Sequence, residues 1–156
     1  MNDNRSHLPF SVMLLILLQF FLGLGALVSG AMMICVPDGS LMHMPLSMLA
    51  YSPFTNFFIP GVLLFTFVGL YPLAVAYSLW KRPAWRWPNV INPFKDYHWS
   101  WAGSLAAGVA VIVWIVVEVV LLRSISFLHY LYLGWGIVIL LVTLLPGVHR
   151  FFKLGA

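Results

Sequence analysis

The chain has 156 residues, 62% of them hydrophobic and only 8% charged, with a formal charge of +4. Soluble domains are about 45–50% apolar and about 25% charged, and small domains bury only part of their surface. This composition therefore excludes a water-soluble fold and leaves one compact membrane domain. The single cysteine, Cys35, excludes an internal disulfide framework. The sequence has no CxxC, no Cys/His metal spacing and no GxGxxG or Walker-type loop, so it implies neither a metal nor a cofactor.

Four apolar runs reach the roughly 20 residues a helix needs to cross a bilayer. They are Phe10 to Ile34, Pro60 to Trp80, Trp101 to Leu122 and Phe127 to Val148. Lipid offers no partner to an open backbone, and four spans are too few for a barrel. The expected fold class is therefore all-α: a four-helix transmembrane bundle with an outer loop over 35–59 and a cytoplasmic loop over 81–100.

Residues 1–31 also have features of a secretory signal, with Arg5 ahead of an apolar core and the small residues Ser29 and Ala31 near its end. The apolar stretch exceeds the roughly 7–15 residues of an ordinary signal core, which favours a retained anchor. Within the first span Gln19 is placed to hydrogen-bond across helices. Gly23, Ala26 and Gly30 share one face, as do Gly103, Ala107 and Ala110 on the third span. Small faces let helices approach closely, so the first and third spans are expected to pack together, or else to form a homodimer seam.

The outer loop begins with a turn signal, Pro37-Asp38-Gly39-Ser40. Pro45 to Ala50 suits a short helix, and Ser52-Pro53 suggests a second one running through Phe58. Pro60 then either opens the second span or kinks one continuous helix begun at Pro53. With Met42, Met44, Met48, Tyr51, Phe54, Phe57 and Phe58, this loop is too apolar for open water. It is expected to lie in the membrane interface or to fold back over the bundle.

The run MPLSMLAYSPFTNFFIPGVLLFTFVGLYPL, followed by SLWKRPAW, resembles a family of small, uncharacterised bacterial four-span inner-membrane proteins. The resemblance covers about two-thirds of the chain and rests on structural motifs. It implies a four-helix inner-membrane protein and carries over no catalytic residue.

Between the second and third spans, KRPAWRWPNVINPFKDYHWSW mixes basic and aromatic residues. Such a mixture can stack on nucleic acid. At the end of a membrane span it is instead the expected aromatic belt, with Lys81, Arg82, Arg86 and Lys95 contacting lipid headgroups, and no nucleic-acid partner is implied. Pro83, Pro88 and Pro93 argue against a long helix here. Arg5, these four residues, Arg150 and Lys153 fall on one side of the membrane, and Arg123 alone falls on the other. The positive-inside rule then places both termini in the cytoplasm.

Glu118 is the one ionisable residue well inside a span, a functional-site candidate by default. Arg123 ends the same helix, and His129 lies about one turn into the fourth span. The short connection predicts an antiparallel hairpin with Glu118 and His129 at similar depth. Two readings follow: a buried pair that fixes the hairpin, or a protonatable pair facing an outer cavity and joined by Asp38 and His43 from the loop. Two carboxylates and two histidines can also ligate a metal, but their spacing matches no local motif. Ser40, Ser47 and Ser52 lack an elbow motif and read as turn and cap residues.

Three functional readings remain. The leading one is a non-enzymatic membrane subunit that binds a protein partner or a lipid. The others are a proton- or solute-coupled transport component using Glu118 and His129, and an outer-leaflet enzyme acting on lipid or quinone.

Overall fold

The computed structural model describes residues 8–155; Arg5 lies outside them. Among the described residues there is no strand, and four helices are long and apolar enough to cross a membrane. The first spans Phe10–Cys35, the second Phe58–Lys81, the third Trp99–Leu122 and the fourth Phe127–Leu144. Ser29 and Ala31 sit within the continuous first helix.

Proline decides where several of these helices begin and end. The second span starts at Phe58, with Pro60 in its first turn, where helix N–H groups have no intrahelical partner to lose. The expected second short helix through Phe58 does not form. Ser52 Oγ instead accepts from the Phe54 N–H (3.2 Å) and donates to the Leu49 carbonyl (2.9 Å), closing a local turn. Pro45–Ala50 yields a single 3-10 turn, Leu46–Leu49. The fourth span ends at Leu144 rather than Val148. Leu145 is extended (ψ 139) because a residue before proline avoids the helical region, and Pro146 opens a separate short helix, Pro146–Phe152.

The second span contains a π-helical stretch, Leu64–Leu70, that no local sequence signal announces. It packs against the small face of the first span. A Cβ added at Gly23 would lie 2.8 Å from the Gly69 carbonyl oxygen, and one added at Gly30 would lie 2.9 Å from that of Gly61. The expected pairing of first and third spans is thus corrected: the first span's glycine face is covered by the second span. The third span packs chiefly against the fourth, through Gly108 and Gly136. Gly103, on the other predicted small face, approaches Val75 and Tyr71 of the second span.

First and third spans do meet at one polar contact. Gln19 Nε2 donates to Ser104 Oγ (2.8 Å), Ser104 Oγ lies 2.9 Å from Thr143 Oγ1, and Thr143 Oγ1 donates to the Ile139 carbonyl (2.7 Å). The last bond commits the Thr143 proton, so Ser104 must donate to Thr143 and accept from Gln19. All three side chains are fully buried, and this oriented chain ties three spans together within the apolar core.

At the end of the bundle that carries most of the basic residues, the linker and the C-terminal tail clasp each other. The His98 N–H donates to the Phe152 carbonyl (2.9 Å) and the Leu154 N–H to the Asp96 carbonyl (2.7 Å). Buried Asn92 orders the linker by donating to the Phe94 and Tyr97 carbonyls and accepting from the Phe94 N–H. Tyr97 stacks on Trp101 and bonds His149 (2.6 Å). Trp85 stacks on Tyr77, Trp87 and Trp99, giving this end a continuous aromatic cluster.

Candidate functional site

At the opposite end, the loop folds back over the bundle. Gly39 adopts a left-handed conformation (φ 79), and an added Cβ there would collide with the Met44 carbonyl and the Phe57 ring. Asp38 Oδ1 accepts from the Ser40 N–H (2.9 Å) and the Ser40 hydroxyl (2.7 Å), completing the turn. Those two donors hold the Asp38 carboxyl below its ordinary pKa. The Phe57 N–H donates to the Pro37 carbonyl (2.8 Å), so the two ends of the loop are joined. Phe57, Leu49 and Met33 form a small buried core, with Met42, Met44 and Met48 packed against it.

Beneath this loop lies a cavity of about 260 Å³ between the spans. Met42, Met44 and Met48 of the loop line it from above, and Met33 of the first span lines its side. Leu64 and Val68 come from the π-helical stretch, Trp114 and Glu118 from the third span, and His129 and Tyr132 from the fourth. A neighbouring cavity of about 100 Å³ is also lined by Met33, Met44, Trp114 and Glu118, so Glu118 borders both. The walls are apolar apart from Glu118, His129, Tyr132, Ser29 and Ser126.

Glu118 and His129 face each other at 3.9 Å, Oε2 to Nε2. The hairpin brings them together because Ser126 caps the fourth span in concert with His129. The Ser126 N–H donates to His129 Nδ1 (2.8 Å), and the Ser126 hydroxyl also meets Nδ1 (2.9 Å). A backbone N–H can only donate, so Nδ1 must present its lone pair. The ring proton is therefore on Nε2, pointed toward Glu118.

The other expected members of this cluster lie elsewhere. Asp38 is exposed and engaged with its own turn; it does not line the cavity. His43 is exposed in the left-handed region (φ 55) and also stands outside the lining, although its neighbours Met42 and Met44 form part of it. Arg123 ends the third span in a left-handed cap and places its guanidinium 4.2 Å from the centre of the Tyr51 ring. The structure thus joins Glu118 and His129 and leaves Asp38, His43 and Arg123 apart from them. Among the described residues no group of three His, Cys, Asp or Glu side chains is arranged to hold a metal.

Sequence reasoning missed Trp114, Tyr132 and Ser29 as cavity residues. A helical projection has the signal for two of them: Trp114 lies four residues before Glu118, and Tyr132 lies three after His129, each on the same helix face. Leu64 and Val68 owe their place to the π-helical stretch, which has no such signal.

At the far end, Lys81 Nζ sits 4.0 Å over the Trp80 ring and the Arg82 guanidinium 4.4 Å over Phe151. Lys95 donates to the Asn89 carbonyl (2.7 Å), and Arg86 is exposed. No family model, curated protein or solved structure matches the chain.

Proposed function

We propose that this chain is a multi-pass protein of the bacterial inner membrane that holds a lipid-like amphipathic ligand in its loop-end cavity. Both termini face the cytoplasm in this reading, because the basic residues gather at the end away from the loop, where the positive-inside rule puts the cytoplasm. The bacterial assignment is supported by the family resemblance of the loop and second span. The cavity then opens toward the outer leaflet.

The observation that carries the reading is the make-up of the cavity: apolar walls, a roof of thioethers and one polar pair. Buried sites for small ligands characteristically combine mostly apolar walls with a few convergent polar groups. Unbranched methionine side chains adapt to flexible apolar chains. A volume of about 260 Å³ suits one chain and a small head rather than a whole phospholipid.

Mass spectrometry of the full chain purified in a mild detergent tests this. The expected result is one amphiphile retained per chain. That amphiphile should be lost from a Ser29→Phe variant, which fills the cavity, and kept by Leu131→Phe on an exposed helix face. A native chain that retains no amphiphile, with its melting temperature intact, would overturn the proposal.

A further inference from the structure

We infer that the polar end of the bound ligand is an aliphatic hydroxyl group, held between His129 Nε2 and Glu118 Oε2. The inference rests on the ligand-binding reading above and assigns its chemistry.

The two atoms are 3.9 Å apart, too far for a direct hydrogen bond. One oxygen at about 2.8 Å from each fits between them, with an angle near 90° at that oxygen. The Ser126 cap makes His129 Nε2 a donor. The group between the two must therefore accept from His129 and offer Glu118 something in return. A hydroxyl has one proton to give and two lone pairs to accept with. It satisfies Glu118 whether or not the carboxyl carries its own proton.

Other head groups match less well. A carboxylate sets like charge against an ionised Glu118. A quinone, ketone or ester carbonyl accepts from His129 but serves Glu118 only in its protonated form, whereas a hydroxyl serves either form. An ammonium group pairs with Glu118 but turns N–H toward N–H at His129. The apolar remainder of the ligand lies against Met33, Met42, Met44 and Met48. The ligand class is thus a single-chain aliphatic alcohol.

The test uses four single-chain probes: 1-dodecanol, its methyl ether, 2-dodecanone and dodecanoic acid. Each is offered at equal concentration to the full chain in mild detergent, and retention is read by native mass spectrometry. The alcohol is expected to be retained at least tenfold better than the other three. Glu118→Leu should abolish that preference, and Ser29→Phe should abolish retention altogether. Equal retention of the alcohol and the ether would overturn the hydroxyl assignment while leaving ligand binding in place. Retention of none of the four would overturn the ligand-binding reading with it. If Glu118→Leu does not fold, the probe series on the unaltered chain decides the matter alone.

Discussion

Gly108 and Gly136 face each other across the third and fourth spans so closely that a side chain on either would crowd the backbone of the other. A Cβ added at Gly108 would stand 3.2 Å from the Gly136 carbonyl oxygen, and one at Gly136 would stand 3.1 Å from that of Gly108. The same hairpin positions Glu118 opposite His129, so the spacing set here is felt at the cavity. Gly136→Val is expected to cost about 1–3 kcal/mol by overpacking. Thermal unfolding in detergent should show it as a lowered melting temperature. An unchanged melting temperature would mean that the two helices part without cost.

The oriented chain from Gln19 to Ile139 distinguishes its members. Gln19 Oε1 is buried without a partner, whereas Nε2 donates to Ser104. Gln19→Leu gives up one hydrogen bond and removes an unpaired acceptor, so it is expected to change stability by less than about 1 kcal/mol. Ser104→Ala strands the whole amide, for which unfolding should show a loss of about 1–3 kcal/mol. A larger loss from Gln19→Leu than from Ser104→Ala would show the hydrogen-bond assignment to be wrong.

Gly39→Ala strains the backbone and forces an atom into the Met44 carbonyl. Because that residue belongs to the loop rather than a span, the effect is expected to be local. Hydrogen exchange over 36–57 should quicken, with the spans unaltered. Protection of the loop equal to that of the unaltered chain would sink this expectation.

His98 supplies a pH dependence. Its Nδ1 accepts from the Ser100 N–H, and its Nε2 lies 3.3 Å from the Pro83 carbonyl, an arrangement that needs the neutral ring. Burial lowers its pKa, the Pro83 carbonyl opposes the shift, and the Arg82 charge adds to it. The unfolded chain therefore takes up the proton first as the solution is acidified. Stability from this residue is fully present above pH 6.5, the ordinary value, and is lost as pH falls through the lowered one. The melting temperature of the unaltered chain should fall between pH 7 and 5 more than that of His98→Asn. Parallel profiles would remove His98 as the cause.

Orientation can be read with the one native thiol. Cys35 is exposed at the loop end of the first span. A membrane-impermeant maleimide should label it in intact cells. A thiol introduced by Lys95→Cys in a Cys35→Ser chain should react only after permeabilisation. The reverse pattern would invert the proposed topology.

The four helices were legible because bilayer thickness demands long apolar runs and charge is excluded from them. The Glu118–His129 encounter was legible because a four-residue connection between helices, 123–126, forces a hairpin. Helix pairing was not: small faces say that something approaches closely, but Gly23 and Gly30 do not specify that Gly69 and Gly61 will fill the gap. The cavity depends on residues from every span and on the π-helical stretch, so no local pattern contains it. Asp38 and His43 were grouped with Glu118 by shared location along the membrane normal, which constrains depth but not direction. Asp38 turns instead toward Ser40, two residues along the chain.

The clasp between linker and tail orders events during synthesis. The His98 N–H and the Asp96 carbonyl are paired with Phe152 and Leu154, which leave the ribosome on the order of several seconds later at ordinary elongation rates. Until then the third span must enter the membrane from a linker whose backbone is still unpaired at these points. The contacts of Asp96, Tyr97 and His98 with the tail are consequently made last, and a nascent chain arrested before Phe152 would show a more protease-sensitive linker around these residues.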